Sequence, residues 1–188
     1  MTFSWKIFLA AKWIKSGYII AYPTESVYGL GCDPKNLDAV KKILQIKQRS
    51  YKKGLILVAS NVEQIIPYIN KPSPQVLAKL AASSNQVITW LIPANKNISP
   101  LLTGKNSSEK KIAIRISNHP IIQSLCQQLG HPIISTSANL SGKAMLYSAN
   151  KVKLCFKNRI KYILNGPLGR QKKPSQIRDI MSNKQIRK

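Results

Sequence analysis

The residues PIISTSANLSG, 132–142, join a short apolar run to eight residues that are mostly small and mostly carry a hydroxyl or an amide. The apolar run is typical of the end of a buried strand, and open α/β sheets bind ligands where such strands end. The eight residues are also typical of a turn whose hydroxyls cap the start of a helix. The sequence has neither Gly-x-x-x-x-Gly-Lys-Ser/Thr nor Gly-x-Gly-x-x-Gly, so small polar side chains would have to hold an anion here.

A second motif, YPTESVYGLG at residues 22–31, also follows an apolar strand. Pro23 ends that strand, and Gly29 and Gly31 predict tight backbone turns. Lys47-Gln48-Arg49 then closes an amphipathic helix, where the helix dipole favours cations in any case. Lys53-Gly54-Leu55 leads into the next apolar strand. The occurrence of these motifs together favours a binding site over isolated turns and caps.

Apolar strands alternate with amphipathic helices along the chain, without an internal repeat. We predict strands near residues 18–22, 54–59, 87–92, 112–116, 132–136 and 160–164. We predict helices near residues 4–15, 37–47, 61–69, 74–82, 118–129 and 148–156. Such alternation indicates an α/β domain whose sheet is covered by helices.

The motifs occur in an order that resembles the YrdC/TsaC family of threonylcarbamoyl-adenylate synthases. That order is Tyr-Pro-Thr-Glu, Lys-Gln-Arg, Lys-Gly-Leu and Ser-Thr-Ser-Ala-Asn-Leu-Ser-Gly. The resemblance continues through residues 112–116 and 118–120 to residues 174–179, and it therefore covers nearly the whole chain. It implies a single YrdC-like domain over residues 1–188, with a twisted mixed sheet covered by helices and a concave basic face.

The same resemblance implies an enzyme, a nucleotidyltransferase that condenses L-threonine, bicarbonate or CO2, and ATP into threonylcarbamoyl-AMP and pyrophosphate. The implied catalytic residues are Lys47, Arg49, Ser137 and Asn139. The implied ATP-binding residues are Lys47, Arg49, Lys53, Ser135, Ser137, Asn139 and Ser141. The implied threonine-binding residues are Thr24, Arg115 and Ser175, with Arg115 on the carboxylate.

Carboxylates are scarce in this chain. The six are Glu25, Asp33, Asp38, Glu63, Glu109 and Asp179. So few scattered acids argue against a metal site held by the protein. We therefore expect Mg²⁺ to arrive on the phosphates of ATP and to keep several waters.

The net charge of +24 is unevenly distributed, because residues 151–188 hold twelve of the 30 Lys and Arg. Such a field attracts polynucleotide phosphates, so tRNA or other RNA on the basic face is one interpretation. Compositional bias is the other, because 24 Lys stand against six Arg. The sequence leaves both interpretations open.

Two other function classes compete with the synthase. A non-catalytic module for double-stranded RNA or tRNA would use the basic face, but it does not explain why Thr24, Lys47, Arg49, Ser137 and Asn139 occur together. A sugar-phosphate lyase of the dihydroxybutanone-phosphate synthase type would need acidic metal ligands, which the scattered carboxylates disfavour.

The cysteines and the apolar runs predict the cellular compartment of the protein. Cys32, Cys126 and Cys155 are widely spaced and form no Cys-x-x-Cys pair, which indicates a reducing compartment. No apolar run approaches the roughly 20 residues of a membrane helix, and Lys12 and Lys15 interrupt the N-terminal stretch. We predict a cytoplasmic monomer without a membrane partner, which passes its adenylate to the tRNA threonylcarbamoyl-transfer machinery.

The basic segment 170–179 has little apolar content, follows Gly166 and Gly169, and contains Pro174. We predict that this segment is mobile without ligand and closes over bound nucleotide, so that Ser175 reaches the substrate.

Overall fold

The structure is a computed structural model that describes residues 3–104, 110–171 and 175–187. Its strands are β1 (Ile20–Pro23), β2 (Tyr28–Gly31), β3 (Ile56–Ala59), β4 (Ile88–Pro93), β5 (Lys111–Ile116), β6 (Ile133–Ser137), β7 (Tyr162–Ile163), β8 (Gln176–Asp179) and β9 (Gln185–Arg187). Its α-helices are α1 (Phe3–Lys15), α2 (Leu37–Ile46), α3 (Pro74–Ala82), α4 (Pro100–Thr103), α5 (Pro120–Leu129) and α6 (Ala149–Phe156). Short 3-10 helices span Tyr51–Lys53, Glu63–Tyr68, Ser83–Asn85 and Lys157–Arg159.

The strands form one sheet in the order β7-β1-β2-β6-β3-β5-β4-β8-β9. β1 pairs with β7, β3 with β5 and β4 with β8 in parallel orientation, whereas the other neighbours are antiparallel. The predicted α/β class with a mixed sheet covered by helices is therefore confirmed.

Alternate residues of the strands pack into two hydrophobic clusters, one on each face of the sheet. Tyr22, Val58 and Ile133 pack with residues of α1 and α5 in one cluster. Leu57 and Ile134 pack with residues of α2, α3 and α6 in the other. The domain thus has three layers, with the sheet in the middle.

Side-chain caps set several helix ends. The side chain of Asn36 accepts a hydrogen bond from Ala39 N at the start of α2, and Ser73 and Ser148 cap α3 and α6 in the same way. Gly130, in the left-handed region, ends α5. The bounds of these helices and of α1 agree with the sequence predictions to within two residues. No helix in the described ranges is long and apolar enough to cross a bilayer.

Four elements differ from the sequence predictions. Residues 28–31 form β2 because pairing with β1 and β6 holds this glycine-containing segment extended. The segment predicted to be mobile contains β8, which pairs with β4 and is followed by β9; residues 172–174 of that segment lie outside the described residues. The predicted helix 61–69 is a 3-10 helix that contains Pro67, which has no amide proton to donate.

Candidate active site

A cavity of about 360 Å³ lies on the sheet face that α1 and α5 cover elsewhere. Ile56 on β3 and Ser135 and Ser137 on β6 line the cavity. They share a face with Val58 and Ile133, which pack into the cluster of α1 and α5, because residues two apart on a strand point the same way. The cavity therefore occupies the part of this face that the two helices leave open.

Seven of the ten predicted site residues line this cavity. They are Thr24, Arg49, Lys53, Arg115, Ser135, Ser137 and Ser175. The other three, Lys47, Asn139 and Ser141, do not line it but contact one another at the loop that follows β6. The fold thus brings residues from distant motifs into one space, although they are separated by as many as 151 positions between Thr24 and Ser175.

Lys47 is buried at the end of α2 and holds the loop after β6. Its Nζ donates hydrogen bonds to the carbonyl oxygen of Ser137, to the carbonyl oxygen of Asn139 at 2.7 Å and to Asn139 Oδ1 at 3.2 Å. Its own carbonyl oxygen accepts a hydrogen bond from Ser141 N at 3.0 Å. Within the loop, Ser137 Oγ donates to Asn139 Oδ1 at 2.6 Å, and Asn139 Nδ2 donates to Lys143 O at 2.6 Å. Lys47 is therefore the centre of a network that shapes the loop.

The electrostatic environment of Lys47 is unusual for a lysine. Burial and, to a smaller extent, the nearby charge of Arg49 together lower the pKa of its ammonium to about 8. The chain therefore holds two cations close together where an anion would relieve their repulsion.

Arg49 and the residues near it form another wall of the cavity. Arg49 Nη2 donates to Gly54 O at 3.1 Å, and both residues line the cavity with Lys53. Gly54 and Gly104 both have positive φ. Their loops lie against each other, and Leu55 N donates a hydrogen bond to Leu102 O at 2.9 Å between them. A Cβ on Gly54 would lie 2.9 Å from Thr103 O, and one on Gly104 would lie 2.6 Å from Lys52 O.

Thr24 and Ser175 are buried in the wall by hydrogen bonds to neighbouring elements. Thr24 Oγ1 donates to Val27 O at 2.8 Å within the turn between β1 and β2. Ser175 Oγ and Thr89 Oγ1 lie 2.8 Å apart, which ties the start of β8 to β4. These two hydroxyls, predicted to bind threonine, therefore hold defined positions in the structure.

Arg115 lies on β5 and forms an ion pair that the sequence prediction did not include. Its Nη2 is 3.1 Å from Glu25 Oε2, and both side chains are about nine-tenths buried. Arg115 lines the cavity, whereas Glu25 is absent from the described lining and lies behind it. Glu25 belongs to the Tyr-Pro-Thr-Glu motif, but its ion-pair partner, Arg115, lies 90 residues away in the sequence and is brought next to it only by the fold.

Lys111 and Ile186 also line the cavity and were missed from the sequence. Lys111 Nζ donates to Asp179 Oδ2 at 2.8 Å. Burial alone would raise the pKa of Asp179, but the hydrogen bonds from Lys111 and Ser182 outweigh it and lower the pKa to about 2. Neither Lys111 nor Ile186 belongs to one of the motifs, so no sequence pattern pointed to these two residues.

Metal ligands are not clustered in the part of the chain that the structure describes. No group of three or more His, Cys, Asp or Glu side chains occurs there. The cavity wall instead offers cations, hydroxyls and backbone groups. Such a wall is suited to binding anionic oxygens.

Comparison with known proteins gives an independent assignment. The family model Sua5/yciO/yrdC, described as telomere recombination, matches residues 12–188. A protein of Photobacterium profundum named threonylcarbamoyl-AMP synthase is 46% identical over 176 residues, which cover 93% of this chain and 94% of that protein. A protein of the same name from Coxiella burnetii is 43% identical over 178 residues, which cover 95% of this chain and 94% of that protein.

A solved structure shares the fold as well. The crystal structure of P. abyssi Sua5 complexed with L-threonine matches with a TM-score of 0.85 at 30% identity. The match covers 94% of this chain and 51% of that chain, so this chain spans about half the length of the P. abyssi protein. The motifs, the mixed sheet and the extent of these matches agree, and the chain belongs to the Sua5/YciO/YrdC family.

Proposed function

We propose that this chain is a threonylcarbamoyl-AMP synthase, which condenses L-threonine, bicarbonate or CO2, and ATP with release of pyrophosphate. The observation that carries the proposal is one cavity whose wall holds four cations, Arg49, Lys53, Lys111 and Arg115, beside a set of hydroxyls. Curated relatives that match this chain over nearly their whole length bear the name of that enzyme.

The reaction suits such a wall. The amine of threonine and CO2 form a carbamate, and a carbamate oxygen attacks the α-phosphorus of ATP as pyrophosphate leaves. This step depends on in-line positioning and on stabilisation of phosphate charge more than on a side-chain base. We assign Arg49 and Lys53 to phosphate oxygens, with the fork of Arg49 able to bind two of them. Ser135 and Ser137 would donate hydrogen bonds as charge develops.

Lys47, Asn139 and Ser141 act on the site through the loop that carries Ser137. Asn139 and Ser141 each form hydrogen bonds with Lys47, which supports this role because these bonds keep the loop in one conformation. The assignment of these three residues to ATP itself stays a prediction.

The threonine end of the site is assigned to Thr24, Arg115 and Ser175. Arg115 offers its guanidinium to the carboxylate, which is the pairing that a planar fork favours. The two buried hydroxyls would bind the remaining polar groups of the amino acid. This assignment is supported by the presence of all three residues in one cavity wall.

Magnesium fits this site as a companion of ATP. The described residues lack a cluster of three metal-ligating side chains, so phosphate oxygens and waters would supply most of its ligands. The ion would add positive charge at the phosphates, and the cations of the wall would bind the oxygens that it leaves open.

The proposed product, threonylcarbamoyl-AMP, indicates which proteins the enzyme would work with. We propose that the labile adenylate passes to the tRNA threonylcarbamoyl-transfer machinery, and that the enzyme acts in the cytoplasm as a monomer. The three cysteines are free thiols in the structure, which agrees with a reducing compartment. RNA on the basic surface remains the second interpretation of the net charge of +24.

Pyrophosphate release tests the proposal. We expect release from ATP only when threonine and bicarbonate are both present, with threonylcarbamoyl-AMP detected by mass spectrometry. Threonine methyl ester is the matched control, because it keeps the amine and lacks the carboxylate that Arg115 would bind. Salt-dependent RNA binding without any threonine-dependent release would instead support the non-catalytic RNA module.

A further inference from the structure

A buried acid lies directly behind the cavity wall. Glu25 Oε2 is 3.1 Å from Arg115 Nη2, and the two side chains are 7% and 10% exposed. Arg115 reaches the cavity, whereas Glu25 is missing from the residues described as its lining. The carboxylate of Glu25 therefore contacts the guanidinium without itself lining the cavity.

Glu25 is itself held from several directions. Ser117 Oγ donates to Glu25 Oε1 at 2.5 Å, and the same hydroxyl accepts a hydrogen bond from His119 N at 3.2 Å, at the start of α5. The carbonyl oxygen of Glu25 accepts from Gln171 N at 3.0 Å. A Cβ on Gly169 would lie 2.7 Å from the Cα of Glu25, so the neighbouring segment packs tightly against its backbone. The carboxylate has little freedom to move.

Stability alone gives little reason for such a pair. Removing two charges from water costs about as much as their attraction returns, and well-packed apolar residues often stabilise a fold equally well. A fixed orientation is the benefit that an apolar pair could not supply. The pair also neutralises Arg115 while the cavity holds no carboxylate.

We propose that Glu25 is a positioning residue that orients the guanidinium of Arg115 for the carboxylate of the amino-acid substrate. This inference rests on the proposed function. The guanidinium has five N–H donors, so it can bind Glu25 on one edge and a substrate carboxylate on another. Ser117 extends the same chain of contacts to the start of α5.

The charge balance predicts a distinctive kinetic effect. Glu25→Gln keeps the size of the side chain and removes its charge, so Arg115 attracts the substrate carboxylate at least as strongly as before. The guanidinium then loses its fixed orientation, and a misplaced substrate reacts more slowly. We expect kcat to fall about tenfold or more, with the KM for threonine unchanged or lowered and the KM for ATP unchanged.

The test is steady-state pyrophosphate release with threonine and ATP varied separately, together with thermal melting. Asp38→Asn is the matched control, since Asp38 is an exposed acid paired with Lys41 on the surface. Absence of threonine-dependent release in the unmodified chain would refute the proposed function and this inference with it, whereas the kinetics of the variants bear on this inference alone. Wild-type kinetics in Glu25→Gln would overturn the inference, as would a raised KM for threonine with kcat unchanged.

A second variant covers the case in which Glu25→Gln does not fold, because loss of one partner destabilises a buried ion pair. Ser117→Ala leaves both charges in place and removes only the hydroxyl that holds Glu25. We expect a smaller fall in kcat, about threefold, again without a rise in the KM for threonine. Unchanged kcat in Ser117→Ala, or a joint rise of both KM values with a lower melting temperature, would overturn the inference.

Discussion

The Nζ of Lys47 lies 2.7 Å from the carbonyl oxygen of Asn139, so the last turn of one helix is tied to the loop after a strand 90 residues further along the chain. The loop carries Ser137 to the cavity wall. The Lys47 ammonium thus controls the geometry of the wall without lining it.

Replacing Lys47 should damage catalysis more than folding. In Lys47→Met the apolar stem remains, but three loop oxygens lose their donor, which costs free energy when they are buried. We expect kcat for adenylate formation to fall roughly a hundredfold. Lys41→Met, an exposed lysine of the same helix, is the control. Full activity in Lys47→Met would contradict both the phosphate and the loop interpretation.

Arg49 should matter for nucleotide binding. Arg49→Ala removes a cation of the cavity wall, and we expect a raised KM for ATP and a loss of roughly a hundredfold in kcat/KM. Arg159→Ala is a matched control, because Arg159 also donates to backbone carbonyls but lies near the end of α6. Calorimetric titration with a non-hydrolysable ATP analogue gives the same comparison without turnover. Equal affinity in the two variants would remove Arg49 from the site.

Asn139 and Leu140 separate hydrogen bonding from packing in the loop. Asn139→Ala removes the acceptor of Ser137 Oγ and the donor to Lys143 O, so we expect a clear loss of turnover. Leu140→Val changes only a partly buried apolar contact and should cost less than about 1.5 kcal/mol of stability. A sharp fall in melting temperature for Asn139→Ala with unchanged kinetics would show that the residue is only a turn cap.

Asp179 should make stability depend on pH at the acid end. Its pKa is lowered to about 2, so the folded protein holds the carboxylate in its charged form more strongly than the unfolded chain, where the pKa is about 3.9. The stabilisation is complete above about pH 4 to 5 and is lost as the pH falls towards 2. Urea unfolding at several pH values should show a smaller acid loss in Asp179→Asn than in the unmodified chain. An identical slope in both proteins would contradict the lowered pKa.

The last strand should contribute to the cavity without being required for the fold. Deletion of residues 183–188 removes β9 and with it Ile186, which lines the cavity and is more than half exposed. We expect nucleotide and threonine affinity to weaken a few-fold, because one wall is lost, and β8 to stay paired with β4. Calorimetry and melting of the truncated chain measure the two effects separately. Unchanged affinity would assign this strand to the surface alone.

The sequence predicted those parts of the fold where local pattern and tertiary structure agree. The apolar runs of β3 and β6 were found within two residues, because a buried strand needs little more than β-branched and apolar side chains. β2 was missed because Gly29 and Gly31 resemble turn residues, and β8 because Gln176 and Arg178 are polar. Both strands depend on pairing partners that are far away in the chain.

The candidate site was predictable where its residues lie in short motifs. Thr24, Arg49 and Ser137 belong to such motifs, and the structure brings them to one cavity. Lys111 was not predicted, because its contact with Asp179 exists only after β4, β5 and β8 have paired. The hydrogen bonds of Lys47 to loop oxygens were also not predicted, because a lysine in a motif with Arg49 is first interpreted as a phosphate ligand.

The close approach of Gly54 and Gly104 limits how this protein can change over generations. At both positions the obstacle to a larger residue is the backbone of the opposite loop, and not a side chain that a second substitution could shorten. A selection for suppressors of Gly54→Ala should therefore yield true revertants or duplications of the gene, and not compensating single substitutions in the other loop. The backbone of each loop therefore restricts which substitutions the other loop accepts, even though 50 positions separate Gly54 and Gly104 in the sequence.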